Sequence, residues 1–87
     1  MYVELLLKEQ EQKFQSQFKT LPNDRLVECF NKQVRCLSGN TIRRVYLSAL
    51  KNEFLNRDFD CSIVLNKYGL RVQQKVRLEN NRLVYAN

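Results

Sequence analysis

Two successive asparagines, Asn80 and Asn81, separate two short runs in which apolar residues alternate with polar ones. Upstream, Leu70, Val72, Val76 and Leu78 occupy even positions, and Arg71, Lys75 and Arg77 occupy odd ones. Asparagine tolerates positive φ, so the pair suits a two-residue type I′ turn. That turn leaves one register. Glu79 faces Arg82, Leu78 faces Leu83, Arg77 faces Val84, and Val76 faces Tyr85. Both apolar pairs then share a face, and the pair beside the turn is of opposite charge. The alternation predicts a strand over 70–79 that returns as a hairpin.

The region before it has a different period. Val3, Leu7, Phe14 and Phe18 fall within about 60° on a helix, which predicts a first helix over 2–18. Glu4–Lys8 and Glu9–Lys13 support it as i,i+4 pairs. Its "KEQEQK" centre is polar all round, whereas Tyr2, Leu5 and Leu6 widen the apolar surface at its start. Pro22 blocks continuation, and Thr20, Asn23 and Asp24 are candidate caps for a second helix. That helix is expected over 23–37, with Leu26, Val27, Phe30, Val34 and Leu37 on one face. "SGN" then reads as stop and restart, Gly39 closing one helix and Asn40 capping the next. A third helix is expected over 41–57, its core face made by Ile42, Val45, Tyr46, Ala49 and Leu50. Glu53–Arg57 adds another i,i+4 pair.

Residues 61–65, "CSIVL", fit a strand or a last helical turn, and the β-branched centre favours the strand. "NKYG" reads as a turn, with Gly69 at its awkward dihedral. The sum is an α+β domain: three helices, then a β-hairpin or three-stranded antiparallel sheet in two layers. The sheet's core face would carry Leu70, Val72, Val76, Leu78, Leu83 and Tyr85. A winged helix is the alternative topology.

Eighty-seven residues make one domain with a thin core, so self-association is a reasonable expectation. Cys29, Cys36 and Cys61 are an odd number, with no histidine and no CxxC. Cys29 and Cys36 would lie about 10 Å apart along a helix, too far to bridge. Reduced thiols in a cytoplasm are the simple reading. The acid at position 4 and the polar turn after Leu7 suit neither a signal peptide nor a membrane span.

No zinc spacing, phosphate loop, nucleophile elbow or spaced carboxylate pair is present, and Asp58 and Asp60 suit a helix-ending turn. The residues therefore argue against an enzyme, a metal site and a cofactor. Two other surfaces stand out. The outward sheet face, with Arg71, Gln73, Lys75, Arg77 and Arg82, could follow a nucleic-acid backbone, or simply be the wet side of a sheet. Base stacking would want exposed aromatics, and Tyr68 alone is available. "NKQVRCLSGNTIRRVYLSALKNEF" resembles a helix-turn-helix pattern, which would aim Arg43, Arg44, Ser48 and Lys51 at a groove. The apolar start of helix one is a third candidate, for packing inside the fold or docking on a partner.

The residues support two functional readings. One is a small cytoplasmic protein-interaction module without catalytic activity, binding another protein or itself as a homodimer, with no membrane. The other is a basic nucleic-acid-binding domain using Arg71, Lys75, Arg77 and Arg82, supported by Arg43, Arg44 and Lys51. The first is preferred, because a net charge of +6 is moderate and spread over several elements.

Overall fold

The computed structural model describes residues 2–36, 39–67 and 69–86, with residues 2 and 3 as backbone only. Three helices come first: α1 (Tyr2–Lys19), α2 (Asn23–Asn31) and α3 (Thr41–Asn56). A 3₁₀ turn follows at Ser62–Val64, then β1 (Leu65–Asn66), β2 (Gly69–Leu70), β3 (Val76–Glu79) and β4 (Arg82–Tyr85). The strands form two separate antiparallel hairpins, β1–β2 and β3–β4. The expected α+β order is present.

The β3–β4 register is the one that the asparagine turn predicts, from Val76↔Tyr85 to Glu79↔Arg82. Asn80 and Asn81 carry φ of 51° and 63°. Both edges of this hairpin are met by the rest of the chain. On the β3 side the Asn31 amide donates to the Val76 carbonyl at 2.8 Å and accepts the Val76 N–H at 2.9 Å. On the β4 side the Leu83 N–H donates to the Asp60 carbonyl at 2.8 Å.

The strand expected over 70–79 is interrupted. The Arg71 N–H bonds to the Val64 carbonyl, which extends the β1–β2 register by one rung, and the Val72 carbonyl then accepts from the Arg35 N–H. The Val72 carbonyl, spent on a partner outside the sheet, cannot serve a continuous ladder, and the chain rejoins the last strand at Lys75, whose carbonyl accepts the Ala86 N–H. Residues 62–64 are helical, and the strand begins at Leu65. The Asp60 carboxylate accepts the Ser62 N–H at 2.8 Å, a local turn that leads into that helical segment. The Tyr68 reading lies outside the described residues.

The second helix is shorter than its periodicity predicts. It ends at Asn31, and i→i+3 bonds such as Gln33 N–H to Phe30 O carry the chain on. Arg35, with φ of 62°, then turns it away. Leu37 lies outside the described residues, but Val34 still packs on the core. No side chain caps α2, whose N-cap position is Pro22; the Thr20 hydroxyl donates back to Gln17 O. At α3 the expected cap forms, with Asn40 Oδ1 accepting the Arg43 N–H at 2.8 Å.

Helices α1 and α3 run in the same sense. Glu11 accepts from Ser48 and Asn52, and further along Phe18 O accepts from Arg57. The core lies between this pair, α2 and the β3–β4 hairpin. Phe30, Phe54, Leu26, Leu50, Val64, Val76 and Leu83 are its largest fully buried side chains. Phe54 links Phe30 and Phe59, with ring centroids 6.0 and 5.8 Å away. Three expected core residues are outside it, Val45 being half-buried and not packed on it. Ile42 is 49% exposed, because the buried face of α3 starts a turn or two later; Tyr85 is 43% exposed at the end of β4.

Candidate functional site

Arg57, which the sequence presents as one half of a surface pair, holds four hydrogen bonds. Its Nε donates to Glu53 at 2.7 Å, and its other nitrogens reach Asn23 Oδ1, Phe18 O and Leu21 O at 2.8–2.9 Å. One planar fork thus ties together the end of α1, the start of α2 and the end of α3. Glu53 is buried by this arrangement. The role is structural, since every acceptor belongs to the fold's own joints.

The predicted basic residues fall into two groups. Arg77 and Arg82 stand on the outward face of the β3–β4 hairpin among carboxylates. Arg77 Nε lies 2.9 Å from Glu79, and Arg82 is the cross-strand partner of Glu79. Arg82 also lies close enough to Asp60 to help hold that carboxyl below the usual range, after the larger effect of the Ser62 N–H and hydroxyl. Arg71 and Lys75 are exposed between β2 and β3; Arg71 lies beside the β1–β2 hairpin, its N–H on Val64 O, whereas the Lys75 carbonyl accepts the Ala86 N–H and so continues the β3–β4 ladder.

Arg43, Arg44 and Lys51 belong to α3. Arg43 is held by Gln33, its Nε donating to Oε1 at 3.1 Å and another nitrogen to the backbone oxygen at 3.2 Å. Lys51 Nζ lies 3.5 Å from Asn66 O, and Arg44 is exposed. Two contacts bring this helix and its approach to the second group: Lys51 to Asn66, and the Arg35 N–H to Val72 O at 3.1 Å. Arg43, Arg44 and Lys51 therefore lie on the side of the fold that meets the chain around Asn66, Arg71 and Val72, while Lys75, Arg77 and Arg82 belong to the β3–β4 ladder.

Helix-turn-helix geometry is not formed. The connection runs over residues 32–40, far longer than the three or four residues of that motif. Ser48, one of the residues expected to face a groove, donates to Glu11 at 3.1 Å on α1. α3 is a packed helix between α1 and β2 rather than a free reading head.

Nothing among the described residues groups three or more metal-ligating side chains. The cysteines are free: Cys61 is buried, Cys29 half-buried and Cys36 exposed. Burial raises the Cys61 thiol, against a smaller effect of its own backbone hydrogen bond. Tyr46 sits edge-on to Phe14 and Phe18, with centroids 5.1 and 5.2 Å away. Burial, with a hydrogen bond to the Cys29 thiol, pushes its phenol well above the ordinary range. A cavity of about 290 Å³ beside β4 is lined by Asp60, Ser62, Ile63, Arg82 and Tyr85 among others.

Several large apolar side chains are exposed. Leu5 is 57% exposed and Leu6 45%, in the first turns of α1; Ile42 is 49% exposed in the first turn of α3. Because the two helices run in the same sense, their starts lie toward one end of the molecule. Leu55, 54% exposed, stands at the other end of α3.

No protein-family model matches the chain, and no match was found among curated proteins or solved structures. No helix among the described residues is long and apolar enough to cross a membrane.

Proposed function

We propose that this chain is a small, non-catalytic interaction module of the cytoplasm that docks on another polypeptide through its apolar end. Leu5, Leu6 and Ile42 carry the reading, because three large aliphatic chains are left to solvent where α1 and α3 begin. A second copy of the chain is the occupant that its size favours. A domain this small buries little apolar area by itself, and a patch that meets its own twin about a two-fold axis is the commonest solution. The free cysteines fit a reducing compartment.

Light scattering across a concentration series tests this. A dimer is expected for the native chain and a monomer for the Leu5→Asp/Ile42→Asp variant, with helix content unchanged because both side chains are exposed. A native chain that stays monomeric at high concentration would remove the second copy as occupant.

A further inference from the structure

The sequence holds a pattern that only the fold makes meaningful. Residues 29–52 contain five Lys and Arg, residues 61–78 contain four, and neither stretch contains an Asp or Glu. The other six of the fifteen bases share the rest of the chain with all nine acids. The excess charge is therefore not spread evenly. It is confined to two stretches, and the remainder of the chain is net acidic.

The fold puts those stretches against each other. The Arg35 N–H bonds to Val72 O, Lys51 reaches Asn66 O, and α3 packs on β2. The resulting surface runs from the α2–α3 connection along α3 to the β1–β2 hairpin and the β2–β3 connection. Lys32, Arg35, Arg44, Lys67, Arg71 and Lys75 are all exposed on these stretches. Arg35 holds a positive φ of 62°, uncommon for a residue with a side chain, at the point where the two connections meet.

We infer that this cationic face binds the phosphodiester backbone of a nucleic acid. A single-sign field over several elements attracts an extended polyanion and concentrates it at the surface. The face is long rather than a pocket: from Arg44 to Lys51 alone it follows about 10 Å of helix. Its uncharged members include Gln73 and Gln74, both exposed, which can also donate to phosphate oxygens. The recognition is of backbone and not of sequence, since neither a helix nor a ribbon is free to enter a groove. This goes beyond the docking reading and does not depend on it.

The test is binding of labelled single-stranded and duplex oligonucleotides, followed by fluorescence polarisation as salt is raised. For four or five phosphates the log–log salt slope on duplex should be about −4. The Arg44→Glu/Arg71→Glu/Lys75→Glu variant should lose about 100-fold or more in affinity at low salt. A control, Lys8→Glu/Lys13→Glu/Lys19→Glu, removes the same net charge from α1 and should lose about tenfold or less. Circular dichroism checks that both variants stay folded. No binding at about 50 mM salt overturns the inference. So does equal loss in the two variants, which would make net charge the cause. Capture by vesicles of anionic lipid with none by oligonucleotides would assign the face to a membrane surface instead.

Discussion

The side-chain amide of Asn31 takes both backbone polar groups of Val76, a residue 45 positions away. Within the β3–β4 register these groups point away from β4, so the amide stands where a third strand's peptide would stand. It joins the last residue of α2 to the first residue of β3.

Removing the amide should therefore weaken the joint between helix and hairpin. Asn31→Ala leaves a buried donor and acceptor of Val76 without partners, at a penalty of about 1–3 kcal/mol. Asn31→Asp keeps an acceptor for the N–H but aims a charge at the Val76 carbonyl, and should also destabilise. Urea unfolding checks both variants, through a lower midpoint at an unchanged slope. A midpoint equal to that of the native chain would show that water replaces the amide freely.

Arg57 and Glu53 are coupled more tightly than an exposed helix pair, since their side chains are only 16% and 8% exposed. Arg57→Ala should lose about 3 kcal/mol or more, because it strands a buried carboxylate as well as three backbone and side-chain acceptors. Arg57→Lys should fall between, as an ammonium cannot reach the same fork of partners. Glu53→Leu in the Arg57→Ala background should recover part of the loss. Additive effects in this double-mutant cycle would contradict the coupling.

Asp60 supplies a pH dependence. Hydrogen bonds from Ser62 hold its folded carboxyl below the unfolded value, so near pH 4 the unfolded chain binds more protons. The stabilisation is complete above the unfolded pKa and is lost as pH falls through the folded one. The Tm advantage of the native chain over Asp60→Asn should thus be largest at neutral pH and shrink below about pH 4. An advantage that stays constant down to pH 2 would show that the carboxylate's charge plays no part.

The hairpin register was legible because it rests on local information. A two-residue turn and an alternating pattern leave one alignment, and the Asn40 cap needs only its own first turn. The interruption at 71–75 was not legible. Alternation reports which face a residue shows, whereas the break comes from Val72 O accepting from Arg35 in another connection. Glu53–Arg57 has the spacing of a solvent pair, and its burial depends on Phe18 O, Leu21 O and Asn23 arriving from elsewhere. Ile42 fits the helical stripe, but the stripe does not say where α1 stops covering it. For the candidate surfaces, the acid-free stretches could have been found by scanning for missing acids. That they meet could not, because the contact between Arg35 and Val72 is a property of the fold.

The common direction of α1 and α3 has a consequence for how the chain folds. Neighbouring helices that run oppositely can zip from a short turn. Here the chain must leave the end of α1, build α2 and travel back before α3 can lie beside its partner. The Glu11–Ser48 contact closes a separation of 37 residues. Loops of that size are entropically slow to close. Helix–helix pairing should therefore come late, after the C-terminal hairpin has formed from contacts close in sequence, and the first helix should be the last to settle and the first to leave.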